Sequence, residues 1–94
     1  IDAVEAFRIG LVNHIVPPDQ VLSKSEELLK EIVTKGPLAV RHALFAIDQG
    51  LDLDLDKGLS LEATLFGLLF ATSDTREGLS AFLEKRRPDF SKSN

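Results

Sequence analysis

Apolar residues recur at intervals of three and four along most of the chain, which is the spacing of one helical face. Prolines and glycines interrupt this pattern and separate it into segments of helical length. The pattern predicts five helices, which cover approximately residues 3–10, 18–36, 37–50, 54–71 and 75–85. The chain is therefore predicted to be all-α.

Capping residues support the starts of two of these helices. Asp2 is followed by Glu5, and Asp74 by Glu77, which is the order of an N-cap and a carboxylate in the first helical turn. Between the first two helices, Leu11–Val16 (LVNHIV) is the one β-like run, and it is too short and isolated to form a sheet. The expected fold is a five-helix array with one short extended segment.

The fourth predicted helix is apolar on all sides between Leu65 and Ala71, where the sequence reads LFGLLFA. A surface helix keeps a polar side, whereas a helix that is apolar all round has to be covered from every direction. Two arrangements satisfy this requirement. The helix packs against another subunit or another part of the polypeptide, or it forms the centre of a compact bundle.

The composition restricts the class of protein. The chain has 94 residues, enough for one domain, and its 44% hydrophobic and 28% charged residues are typical of a globular protein. Its net charge of −4 argues against a nucleic-acid partner, and no apolar run is long enough to predict a membrane span. The chain contains no cysteine, which fits a cytoplasmic protein, and no methionine, which indicates a piece of a longer protein.

Metal-binding motifs are incomplete. His14 and His42 each lack a second ligand at a suitable spacing, so both are interpreted as surface or interface histidines. The segment DLDLDKG begins like a calcium-binding loop, but Lys57 and Ala63 occupy the positions where such a loop needs Gly and Glu. No metal site is predicted.

The last predicted helix has one pair of carboxylates that deserves a chemical interpretation. Glu77 and Glu84 are seven residues apart and therefore share a helical face, where they could act as an acid–base pair. Two solvated carboxylates on an amphipathic helix are the simpler interpretation. No catalytic residue is predicted in this chain.

The same helix carries an aromatic and cationic stripe. Gly78, Phe82 and Lys85 follow one another at spacings of four and three, and two further cations come directly after them. Phe66 on the preceding helix could complete an apolar cleft. An aromatic cleft edged by cations suits a flat heterocycle that carries phosphates, such as a nucleotide. The alternative is that the phenylalanines pack helices together and that the cations stabilise a helix C-terminus.

Three segments of the chain resemble, in order, the C-terminal region of the enoyl-CoA hydratase/isomerase (crotonase) family. They are IDAVEAFRIGLVNHIVP, GPLAVRHA and LSLEATLFGLLFATSDTREGLSAFLEKRRPDF, and the last is most similar to enoyl-CoA hydratases and 3-hydroxybutyryl-CoA dehydratases. The resemblance implies a parent enzyme that reversibly hydrates an α,β-unsaturated acyl-CoA and uses no cofactor besides the coenzyme A of its substrate. It also implies that the oxyanion-hole donors and catalytic glutamates lie in an N-terminal β/α spiral core outside this chain.

The resemblance assigns two roles to residues 1–94, which would form a single helical C-terminal module. The module would assemble subunits into trimers or hexamers, and it would complete an acyl-CoA site. Phe66, Phe82 and Lys85 match the positions that line the adenine and phosphate end of coenzyme A. The isolated chain is then expected to be inactive. A stand-alone helical protein-interaction module without CoA chemistry is the alternative.

Overall fold

The computed structural model describes residues 1–91, which form helices and connecting segments and contain no β-strand. The all-α prediction is therefore confirmed. The chain divides into two compact units, one comprising residues 1–31 and the other beginning at residue 32. The five α-helices are α1 (Ala3–Arg8), α2 (Val21–Ile32), α3 (Pro37–Gly50), α4 (Leu55–Leu69) and α5 (Ser73–Glu84).

In the first unit, α1 is closed by the expected residues at both ends. The Oδ1 atom of Asp2 accepts a hydrogen bond from the backbone N–H of Glu5 at 2.8 Å, which satisfies one of the free donors of the first turn. At the other end Gly10 adopts a left-handed conformation with φ of 78°. This conformation suits glycine, because it has no Cβ atom to clash with the neighbouring carbonyl.

The segment after α1 has neither helical nor sheet structure, as expected for the short extended link. A 3₁₀ turn at Pro18–Gln20 then leads into α2, so the second helix begins later and ends earlier than its apolar pattern predicts. Pro18 lies in the first turn, where its missing N–H leaves no hydrogen bond unmade.

In the second unit, α3 and α4 pack together as a helical hairpin. The two helices lie close together at Gly50 and Gly58, where a Cβ atom on Gly58 would be in ordinary van der Waals contact with the carbonyl oxygen of Gly50, at 3.6 Å. Farther along the hairpin, Nδ1 of His42 lies 3.2 Å from the carbonyl oxygen of Leu65. The interpretation of His42 as an interface histidine is consistent with this contact between helices. Asp54 caps α4 through the N–H of Lys57 at 2.8 Å.

The N-cap of α5 differs from the prediction. Thr72 is the cap, and its Oγ1 accepts a hydrogen bond from the N–H of Thr75, whereas Asp74 lies inside the first turn. Asp74 is only 7% exposed, so its carboxylate is buried rather than free to cap. Thr72 begins α5 instead because its backbone is extended and its hydroxyl reaches the first turn.

Neither unit encloses a core of large side chains. Among the described residues no large side chain is fully buried, and the buried apolar residues are Ala6 and Ala81. Phe66, Leu68 and Phe70 on or beside α4 remain 56–63% exposed. The structure of this chain therefore does not place α4 at the centre of a bundle.

Candidate functional site

The hairpin of α3 and α4 forms an open apolar groove of about 1030 Å³. Its wall on α3 is built from small residues at helical spacing, namely Ala39, Ala43 and Ala46. Leucines and Phe66 of α4 form the facing wall. A groove of this size and lining can hold an apolar ligand or a segment of another polypeptide.

Phe66 lies in this groove, and it is partly supported by a second ring. The centroids of the Phe66 and Phe70 rings are 5.2 Å apart with an angle of 81° between the planes, which is an edge-to-face contact. Phe66 nevertheless remains 63% exposed. One face of its ring is thus available to a further partner.

The other two predicted ligand residues lie on a different surface. Phe82 is in the last turn of α5 and is 79% exposed, and Lys85 follows the last helical residue. Neither lines the groove that contains Phe66. Within this chain the structure therefore groups Phe82 with Lys85 and leaves Phe66 in a separate groove.

Lys85 does not continue the helical stripe that spacing alone predicts. Its backbone is left-handed, with φ of 55° and ψ of 41°, and it ends the helix. Among residues 1–91 it is the only residue other than glycine with positive φ. The side chain consequently leaves the helix in a direction set by this turn.

An ion-pair network that spacing did not predict surrounds the turn. Arg86 contacts Glu77 through two nitrogens, and its Nε donates a hydrogen bond to Glu84 at 2.6 Å. Oε1 of Glu77 also accepts a hydrogen bond from the backbone N–H of Asp89 at 3.2 Å. Glu77 thereby ties the segment after α5 back to the middle of the helix.

This network changes the interpretation of the two glutamates. The hydrogen bond from Arg86, followed by the one from the Asp89 amide, holds the pKa of Glu77 below its ordinary value of 4.5. Arg86 contacts both glutamates, and the lowered pKa of Glu77 makes that group unsuited to carry a proton at neutral pH. The structure gives no support to an acid–base pair.

A buried carboxylate lies at the start of α5. Oδ2 of Asp74 and Oγ of Ser73 are both buried without a hydrogen-bond partner among residues 1–91. Oδ2 of Asp74 lies close to Gly36, the N-cap of α3, since it is 3.3 Å from the position that a Cβ atom on this glycine would occupy. The carboxylate therefore lies near the amino ends of two helices, where negative charge is favoured.

The described residues lack the features of two other classes of site. Residues 1–91 contain no group of three or more histidine, cysteine, aspartate or glutamate side chains that could hold a metal ion. In the same part of the chain, no helix has the length and apolar character needed to cross a bilayer.

Known proteins match this sequence over nearly the whole chain. The sequence model of the family described as "Enoyl-CoA hydratase/isomerase" matches residues 1–93. The "Crotonyl-CoA hydratase" of Syntrophomonas wolfei is 49% identical over 90 residues, which are 96% of this chain and 35% of that protein. The "2,3-dehydroadipyl-CoA hydratase" of Escherichia coli is 42% identical over 90 residues, again 96% of this chain and 35% of the relative.

Solved structures also contain a region with the same fold as this chain. A crystal structure of the enoyl-CoA hydratase of Bacillus anthracis superposes with a TM-score of 0.90 and 41% identity, over 96% of this chain and 35% of that chain. An enoyl-CoA hydratase/isomerase of Mycobacterium paratuberculosis superposes with a TM-score of 0.92 and 34% identity, over 97% and 36% of the two chains. This chain thus spans about a third of the length of the relatives it matches. It belongs to the enoyl-CoA hydratase/isomerase family.

Proposed function

We propose that this chain is the C-terminal assembly module of an enoyl-CoA hydratase, in which it also completes the binding site for coenzyme A. The complete enzyme would reversibly hydrate an α,β-unsaturated acyl-CoA. The names of the relatives support this activity, since several are hydratases of acyl-CoA esters and match 93–96% of the chain. We further propose that the enzyme acts in the cytoplasm.

The observation that carries the assembly role is the exposure of α4. Phe66 and Leu68 are separated by about 200° around the helix axis, so they lie on different sides of the helix. Each is more than half exposed. Large apolar side chains exposed on two sides of one helix are typical of an interface rather than of a free surface. A second subunit, together with the remainder of the enzyme, would cover both sides.

The role in ligand binding rests on the aromatic and cationic side chains. The exposed ring of Phe82 suits stacking on adenine, and the ammonium of Lys85 suits a phosphate. Phe66 lies in the separate groove, so it would reach the same nucleotide from another copy of the chain in the assembled enzyme. Coenzyme A would enter as part of the substrate, and no further cofactor is proposed.

The chain by itself would not catalyse the reaction. Hydration needs a carboxyl group to move a proton and donors that stabilise the thioester oxyanion. In residues 1–91, the two glutamates that share a face of α5 are engaged by Arg86. We therefore assign proton transfer and oxyanion stabilisation to the part of the enzyme that this chain does not span.

A chimaeric enzyme tests the proposal directly. The matching third of the Syntrophomonas wolfei crotonyl-CoA hydratase is replaced by this chain, and hydration of crotonyl-CoA is followed by the loss of absorbance of the conjugated thioester. We expect an active oligomer from the chimaera and no turnover from the chain alone. Turnover by the rigorously purified chain would overturn the assignment, as would a folded chimaera that assembles but binds no acyl-CoA.

Substitutions in the chimaera address the binding role. Phe82→Ala removes a stacking surface that is remote from the reacting carbons, so KM is expected to rise about fivefold to tenfold with little change in kcat. Leu83→Ala is the matched control, because Leu83 neighbours Phe82 and is equally exposed. An equal effect of both substitutions would indicate general packing rather than stacking on the ligand.

A further inference from the structure

Two helices of this chain end in the same hydrogen-bonded motif. At the end of α1, the N–H groups of Gly10 and Leu11 donate to the carbonyls of Phe7 and Ala6 at 3.1 and 2.9 Å. At the end of α5 the corresponding bonds are Lys85 to Phe82 at 3.3 Å and Arg86 to Ala81 at 3.0 Å. Both ends are Schellman motifs, and both place one residue in the left-handed region.

The two motifs differ in the residue that adopts the left-handed conformation. The end of α1 uses Gly10, which is the residue that fits this conformation without a steric penalty. The end of α5 uses Lys85, for which this conformation is disfavoured because the Cβ atom comes close to the following carbonyl oxygen. A non-glycine residue persists in this region only where its surroundings hold it, and such positions concentrate at functional sites.

The surroundings of Lys85 supply the restraint. Arg86, the next residue, is held by Glu77 on one side and by Glu84 on the other. Farther along, the N–H of Asp89 donates to Glu77. Glu77 therefore holds the segment beyond Lys85 at two points, the guanidinium of Arg86 and the backbone N–H of Asp89, and its side chain is only 27% exposed in the ion pair. The turn cannot relax without breaking these contacts.

The same network controls which cation is free. Glu77 and Glu84 are the carboxylates nearest in sequence to Lys85 on α5, and both contact Arg86. Among residues 1–91 no ion pair involves Lys85. Arg86 engages both carboxylates, and Lys85 has no ion-pair partner among residues 1–91, so its ammonium is available to an external anion.

We propose that Glu77 is a positioning residue, which acts through Arg86 and the Asp89 amide to hold the Lys85 ammonium in place for a phosphate of coenzyme A. This inference rests on the proposed function, because it takes Lys85 as the phosphate contact. Glu77 itself touches no ligand. Its contribution is twofold. It holds the left-handed turn, and it keeps Arg86 paired with the carboxylates, which would otherwise be able to pair with Lys85.

The test is a titration of the chimaeric enzyme, isotopically labelled at its lysines, with coenzyme A and, separately, with pantetheine, which lacks the nucleotide. Resonances of Lys85 report binding and the conformation of the turn. We expect Glu77→Gln to weaken coenzyme A binding about threefold, since it removes the ion pair but retains an acceptor for Asp89. Glu77→Ala removes both contacts and is expected to weaken binding further. Neither variant should change the response to pantetheine.

The direction of the effect separates positioning from simple electrostatics. Removing a carboxylate near a phosphate site reduces repulsion, so a purely electrostatic role predicts tighter binding of coenzyme A by both variants. A positioning role predicts weaker binding together with a shift of the Lys85 resonances away from the left-handed values. Glu26→Gln on α2 is the control, because it makes the same change of charge at an exposed site in the other unit of the chain.

Three outcomes show whether the positioning role of Glu77 or the ligand contact of Lys85 is wrong. If Lys85→Ala weakens coenzyme A binding but the Glu77 variants bind like the unsubstituted chimaera, the positioning role is wrong and the proposed ligand contact stands. If Lys85→Ala has no effect on coenzyme A binding, the ligand contact itself is wrong and the inference falls with it. Tighter binding by Glu77→Gln would also overturn the positioning role.

Discussion

Oδ2 of Asp74 lies 3.3 Å from the position that a Cβ atom on Gly36 would occupy. The contact joins the first turn of α5 to the N-cap of α3, and both residues are buried. Gly36 has φ of −61° and ψ of 122°, a conformation that any residue can adopt. The glycine is therefore required for space beside the carboxylate rather than for its backbone.

This relationship predicts that the effect of Gly36→Ala on the free energy of unfolding depends on whether Asp74 is present. Gly36→Ala alone is expected to lower the free energy of unfolding by about 1 kcal/mol, because the new methyl group crowds Asp74. In an Asp74→Ala background the same change is expected to be neutral or stabilising, since alanine restricts the unfolded chain more than glycine does. Urea unfolding of the four variants gives the coupling energy. Additive effects would show that the two residues do not interact.

The strained turn after α5 predicts that a substitution of Lys85 can stabilise the fold while it weakens the binding of coenzyme A. Lys85→Gly is expected to raise the free energy of unfolding by about 1 kcal/mol, because glycine adopts the left-handed conformation without strain. Lys85→Ala keeps the strain and should leave stability nearly unchanged. Both substitutions remove the ammonium and should weaken coenzyme A binding equally. A destabilised Lys85→Gly variant would contradict the account of the turn.

The ion pair of Glu77 predicts a dependence of stability on pH. Hydrogen bonds from Arg86 and Asp89 lower the pKa of Glu77 in the folded chain, so below its ordinary value of 4.5 the unfolded chain binds more protons. The contribution of Glu77 is then complete above pH 4.5 and is lost as the pH falls through the lowered pKa. Stability should therefore decrease on acidification, and Glu77→Gln should reduce that slope.

The Asp89 amide provides a local readout of the same transition. Its hydrogen bond to Glu77 weakens when the carboxyl group is protonated, so its amide resonance should move in the acid range in the unsubstituted chain. In Glu77→Gln the corresponding movement should be absent. The ion pair of Glu5 with Arg8 titrates in the same direction and remains as an internal reference in both proteins.

Local signals in the sequence were sufficient for the elements of the fold. Spacing of apolar residues identified all five helices, and Asp2 caps α1 as its position predicts. The N-cap of α5 was assigned wrongly, because Thr72 and Asp74 are both residue types that cap helices. Only the burial of Asp74 against Gly36 decides between them, and burial between helices that are distant in sequence leaves no local signal.

The candidate site shows the same limit. Helical spacing groups residues within one helix and therefore predicts a shared stripe for Gly78, Phe82 and Lys85, but Lys85 lies in a left-handed turn that ends the helix. Spacing cannot show that Phe66 lies in a groove with α3, or that Arg86 turns back by nine residues to reach Glu77. The sequence also gives no signal for a lysine in a left-handed turn, because glycine is the residue that normally marks such a turn.

The exposed side of α4 that carries Leu68 predicts self-association of the chain. Leu68 lies away from the Phe66 side of the helix and is 56% exposed, so a second copy can cover it without entering the groove. Leu68→Lys places a charge in that contact in every copy and should raise the dissociation constant at least about tenfold. Val4→Lys on α1 is the matched control, because Val4 is similarly exposed.

Sedimentation equilibrium over micromolar to millimolar chain concentrations measures this association. The unsubstituted chain and Val4→Lys are expected to show a mass that increases with concentration, whereas Leu68→Lys remains closer to the monomer. Helix content by circular dichroism has to be equal in the three proteins, because Leu68 is exposed and its substitution leaves no cavity. A folded, monomeric unsubstituted chain over the whole range would contradict the assembly role of α4.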